Sequence, residues 1–331
     1  MPDVRKICCM LGCWSDSADR SDSDKQASSD TPKAVCDSHK RPSLRANSGP
    51  PFGRDDERRR QQETMTTSDE TGDEVAQLRQ TVEALQQQVT RLNDQEEIRK
   101  LQYKYGYYLD KCLYEEVLAL FSDSPDTCAQ FLGARFNGIA GVKRLYIGRF
   151  ARNFAGGRNG PIHGFLLEHP QIQGIVDVDY SQQSGPPRAK ARFRSLMQAG
   201  VHASQAGIHP RGATQWWEGG VYENEYIRDG PGGTWRILRL RYNPFWHGDF
   251  EHGWAYKVAG FVPFLTKTYP DDPSGPDEVF PEEQRMMWPD TRVVPFHYDH
   301  PVTGQPVKED DMRAPVYGTD VKLSKPALKL E

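Results

Sequence analysis

The stretch "GVYENEYIRDGPGGTWRILRLRYNPFW", Gly220 to Trp246, decides how this chain is read. Two runs of alternating apolar and polar residues flank "DGPGG", Asp229 to Gly233. Alternation is the period of a half-buried strand, and a glycine-rich break between two such runs predicts a β-hairpin. Working back, "RAKARFRSLMQAGV" (188–201) sets Ala189, Ala191 and Phe193 against Lys190, Arg192 and Arg194, again a strand with one wet face. "HPQIQGIVDVDY" (169–180) predicts a further strand. Before these, "AQFLGARFNGIAG" (129–141) reads as a short strand ending in glycine turns. "GVKRLYIGRFARNF" (141–154) reads as a helix with Val142, Leu145, Tyr146, Phe150 and Phe154 on one face. Helices first and antiparallel strands after them predict an α+β fold.

Upstream, "EVAQLRQTVEALQQQVTRLNDQEEIRKLQYKYGYYL" runs from Glu74 to Leu109. Val75, Leu78, Val82, Leu85, Val89 and Leu92 are spaced three and four apart. That is a heptad stripe with Val at a and Leu at d, the combination of two-stranded parallel coils. The same spacing also suits one amphipathic helix lying on its own domain. After Leu92 the apolar positions shift to Ile98, Leu101, Tyr105, Tyr108 and Leu109, a broader face suited to a sheet. Residues 1–72 are rich in Ser, Asp, Arg, Lys and Pro, and composition predicts disorder there. The segment 73–94 is then a coiled-coil-like helix, 95–260 the α+β unit, and 261–331 a tail holding eleven prolines. Large apolar residues between those prolines predict an extended arm that docks on its own domain or on a neighbouring subunit.

The 331 residues suffice for one large or two small domains, and 11% aromatics allow a sizeable core. A formal charge of −4 and no basic stripe argue against a nucleic-acid partner. The apolar runs are too short to span a bilayer. Cysteines 8, 9, 13, 36, 112 and 128 match no zinc spacing, and a reduced, cytoplasmic protein is expected. "VRKICCMLGCW" (4–14) lacks a convincing cleavage site, and its cysteines are candidates for palmitoylation.

Four pieces, in order, carry a family resemblance. They are "EEIRKLQYKYGYYLDKCLYEEVLALFSD" (96–123), "FNGIAGVKRLY" (136–146), "IHGFLLEHPQIQGIVDV" (162–178) and "GVYENEYIRDGPGGTWRILRLRYN" (220–243). Together they resemble the SnoaL-like family of the nuclear-transport-factor-2-like superfamily over residues 95–250. The resemblance implies a cone-shaped barrel, a curved and mostly antiparallel sheet wrapped around helices. Two enzyme types of this superfamily, scytalone dehydratase and bile-acid 7α-dehydratase, eliminate water from carbonyl-activated substrates with Tyr, Asp and His inside the cone.

Carried over residue by residue, the resemblance implies Tyr105 and Asp110 on the first helix and His163 before the long strand, with His169 as the alternative histidine. Asp110 would accept the Nδ1–H of the histidine, whose other nitrogen would act as base. Tyr105 would donate to a substrate carbonyl. Tyr108, Tyr146, Trp217 and His169 would line the pocket. This chemistry, on a cyclic or polyketide-like carbonyl compound, calls for no cofactor and no metal. Cyclase or isomerase chemistry would use the same groups. The plainer reading makes Asp110 a local cap and the tyrosines core residues. A non-catalytic assembly module, dimeric or trimeric, is the other class expected. "HGDFEH" (247–252) with His297 has the spacing of a 2-His-1-carboxylate iron site, and alternatively is a polar surface loop. "GGRNG" (156–160) reads as a flexible loop, the lip of the cone.

Overall fold

A computed structural model of the chain describes residues 53–181, 185–208, 214–254, 267–281 and 288–314, with only the backbone of 64–70. The chain divides into Met1–Ser68 and Asp69–Glu331. The described residues of the first unit are helical from Arg54. Helix α1 runs Arg54–Asp110, so residues 54–72 depart from the disorder that composition predicts. Poverty in apolar residues argues against a core, but the Arg, Glu and Gln of this segment are good helix formers, and Asp55, Asp56 and Glu57 sit at the positive end of the helix dipole. Residues 1–52 lie outside the described residues.

The second unit is mixed α+β, few helices against one curved sheet. After α1 come α2 (Tyr114–Ala119), β1 (Cys128–Phe131) and β2 (Ala134–Asn137). The segment read as one short strand is thus a hairpin, turned by Leu132 and Gly133, both at positive φ. The predicted helix is present as α3 (Gly138–Lys143), a π-helical turn (Arg144–Ala151) and α4 (Arg152–Ala155). Then follow β3 (Phe165–Glu168), β4 (Gln171–Asp179), β5 (Arg188–Val201), β6 (Thr214–Ile227) and β7 (Arg236–Asp249). With β8 (Glu278–Val279), the sheet order is β3-β5-β6-β7-β1-β2-β8, with β4 also on β5. All pairings are antiparallel except β1 with β7.

The alternation in β5 is borne out except at Arg192: Ala189, Ala191, Phe193, Ser195 and Met197 are buried, and Lys190, Arg194 and Leu196 exposed, whereas Arg192 is half-buried by its pairing with Glu223. The "DGPGG" turn joins β6 to β7. Tyr105, Tyr146, Tyr222, Tyr226, Phe121, Phe136 and Phe193 are fully buried between sheet and helices, which makes this a core dominated by aromatic rings.

Two short segments follow the sheet. Residues 267–281 supply β8 (Glu278–Val279), paired with β2, so the sheet takes its last strand from the proline-rich tail. Asp277 meets Arg144 at 2.5 Å and Asp272 meets Arg149 at 2.7 Å. Residues 288–314 include a stretch held by Arg192, which donates to the carbonyls of Val294 (2.9 Å) and Pro295 (2.6 Å). The His297 ring lies between Glu223 and Asp177. Short helix α5 (Glu309–Met312) is the last described element. Among the described residues no helix is long and apolar enough to cross a membrane.

Candidate active site

The segment read as one long strand after His163 is broken. β3 ends at Glu168 and β4 begins at Gln171, both on the same edge of β5. Pro170 sits in the gap, and proline cannot donate to a ladder. The break releases the backbone N–H of His169 from sheet pairing. Asp110, at the end of α1, takes it: His169 N–H donates to Asp110 Oδ1 at 2.7 Å. The His169 ring bonds the same oxygen through Nδ1 at 2.9 Å. A carboxylate only accepts, so Nδ1 carries the hydrogen and Nε2 is left as the basic nitrogen. Both side chains are largely buried, at 11% and 16% exposure.

The approach depends on Gly106. A Cβ there would lie 3.0 Å from Gln171 Cγ and 3.3 Å from the His169 carbonyl oxygen. Gln171 completes the support: its amide donates to the His169 carbonyl at 2.8 Å and accepts from Gln102 at 2.8 Å. Gln102 Oε1 in turn accepts from Tyr226 and Asn224 on β6.

Asp110 and His169 line a cleft of about 530 Å³, with Tyr103, Gly106, Tyr107, Lys111, Glu168, Pro170, Gln171 and Ile172. The volume lies within the range of small-molecule sites. Tyr107 is 74% exposed on its wall.

Of the two histidines, His169 reaches Asp110, and His163 is exposed in the turn before β3. Tyr105 is not in the cleft. It is fully buried, its hydroxyl 2.9 Å from that of Tyr146 and its ring edge against Tyr222. The reason is helical geometry: residues five apart lie about 140° apart around the axis, so Tyr105 and Asp110 face different ways. Burial pushes the Tyr105 phenol up to about 12, and that of Tyr146 well above its ordinary value. Tyr146 is likewise core rather than cleft, and Tyr108 is half-buried against the core. On β6 it is Trp216 that is buried; Trp217 turns to the other face and meets Phe250 at 6.1 Å.

The iron-site spacing does not converge. His247 faces the buried Glu218 at 3.7 Å, Asp249 bonds His252, and His297 is occupied by Glu223 and Asp177. Nor is "HGDFEH" simply a surface loop, since His247 is only 8% exposed. "GGRNG" is a turn with Gly156, Gly157 and Gly160 at positive φ.

Asp110 and His169 thus form a polar dyad beside a cleft, on an α+β scaffold. Residues 90–241, just under half of the chain, match the model of the SnoaL-like domain. No curated protein matches the sequence. Among solved structures it is similar to a candidate scytalone dehydratase from Novosphingobium aromaticivorans: 17% identity, 52% of this chain and 97% of that one, TM-score 0.37. It is also similar to a type 2 hexachlorocyclohexane dehydrochlorinase, LinA (16% identity, 52% and 99% covered, TM-score 0.38). A third is a nuclear-transport-factor-2-like protein from Salmonella enterica (18% identity, 51% and 96% covered, TM-score 0.35).

Proposed function

We propose that the domain is a cofactor-independent dehydratase (lyase) acting on a cyclic or polyketide-like carbonyl compound, with His169 as base and Asp110 as its orienting carboxylate. The observation that carries this is the 2.9 Å Nδ1–Oδ1 bond at the edge of the cleft. His169 Nε2 removes the proton α to the carbonyl, and its electron pair forms an enolate. The enolate collapses to a carbon–carbon double bond as the β-hydroxyl leaves. The imidazolium returns its proton to that hydroxyl, so water departs and the histidine is regenerated. Asp110 stabilises the imidazolium meanwhile. Tyr105 is too deep to act as carbonyl donor; Tyr107 and Lys111, both on the cleft wall, take that place. Intramolecular cyclisation or isomerisation would use the same enolate.

The test is a panel of cyclic β-hydroxy ketones, followed by the ultraviolet absorbance of the conjugated product. His169→Ala and Asp110→Asn are each expected to cut turnover by about 10²–10⁴-fold. The asparagine keeps an oxygen acceptor for the His169 amide, so the fold persists. Full turnover in both variants would end the mechanism. A non-catalytic role is the second reading, favoured by one observation: Asp110 also holds a main-chain amide, a job that needs no substrate.

A further inference from the structure

The heptad residues Val75, Leu78, Val82, Leu85, Val89 and Leu92 are between 48% and 64% exposed. They are not used as a face laid on their own domain. The geometry of α1 says why. At about 100° per residue, the buried positions Ile98, Gln102, Tyr105 and Leu109 fall on roughly the opposite side of the helix from the stripe. A continuous helix cannot turn both lines to one sheet.

We propose that residues 75–92 pair with the same segment of a second copy of this chain, as a parallel two-stranded coiled coil. Three features of the segment select that occupant. The apolar spacing is strict a/d, the narrow seam of a coil rather than the wider stripe of a domain-facing helix. Val occupies every a position and Leu every d position, which favours two parallel strands over three or four. The flanking positions are complementary in that orientation: Glu74 stands at g and Arg79 at the following e, so a parallel, in-register pair sets each Glu74 against the partner's Arg79. The other e and g residues, Thr81, Gln86, Gln88 and Asn93, are uncharged and oppose nothing. The helix is already formed through this segment, so association need not nucleate it. This inference is independent of the enzymatic reading.

The full chain is tested by light scattering at micromolar concentration. The expected mass is twice 37.6 kDa, falling to 37.6 kDa in the Val82→Glu/Leu85→Glu variant, with the thermal melt of the sheet retained. Glu74→Arg is expected to weaken the pair, and adding Arg79→Glu to restore it. Oxidised Leu85→Cys is expected to link the two copies at position 85. A native monomer, a mass of three copies, or a dimer that survives the double glutamate substitution overturns the proposal. So does a link from position 85 to any other position.

Discussion

Asp110 does two things with one oxygen. It closes the amide that Pro170 strands, and it fixes the ring of the residue that owns that amide. Ring and backbone of His169 are therefore positioned together, which leaves the imidazole little freedom to reorient. Gly106 is what lets the strand break come so close to the helix. Gly106→Ala separates geometry from stability. Alanine is the better helix former by about 1 kcal/mol, which offsets part of the crowding. The expected result is a small change in melting temperature with a large loss of turnover, measured side by side. Turnover equal to wild type would show that the 3.0 Å contact relaxes without moving His169.

The helix and the edge strand form a zipper of polar side chains. Tyr180 donates to Asp94 at 2.6 Å, Gln95 to the Val176 carbonyl at 3.0 Å, Gln102 to Gln171 at 2.8 Å, and His169 to Asp110. Asp94 is the anchor: it is 1% exposed and also accepts from Trp235 Nε1 at 3.0 Å and from Arg228. Asp94→Ala leaves the buried indole N–H unpaired and is expected to cost about 2–3 kcal/mol, read from urea midpoints. An unchanged midpoint would make Asp94 dispensable.

Much of this level was legible in the sequence. The period-two runs of β5, β6 and β7 and the glycine turn between the last two have strong local signals. The helix from 141 was legible too, though not its π-helical turn. The zipper was not, because Asp94, Gln95 and Gln102 look like a solvated face until the strand they meet is known. The choice of His169 over His163 was also hidden, since it depends on where a proline interrupts a ladder. Asp110 was legible as an unusual carboxylate. Its supposed partnership with Tyr105 came from resemblance, and helical phase separates them.

At the scale of the whole molecule, the core holds its phenols protonated. Desolvation raises Tyr105 to about 12 and drives Tyr146, Tyr222 and Tyr242 well above the ordinary value of 10. A folded-state value above the unfolded one means stability is intact below pH 10 and is lost as pH climbs through the folded values. Absorbance at the phenolate band should therefore rise in two stages. Exposed members of the 14 tyrosines ionise first, and buried ones such as Tyr105 only as the chain opens above about pH 12. A single smooth titration centred near 10 would contradict the burial.

The edge at β4 also governs how the molecule would fail. Among the described strands β4 pairs only with β5. Two side chains of α1 reach it: Gln95 bonds the Val176 carbonyl and Gln102 the Gln171 side chain. A side chain on an edge carbonyl hinders pairing with another sheet at that point. If the helix lifts, "QIQGIVDV" (171–178) is released as an open β edge bearing Ile172 and Ile175, both already partly exposed. Damage to the zipper would then first appear as aggregation, with the rest of the sheet still folded.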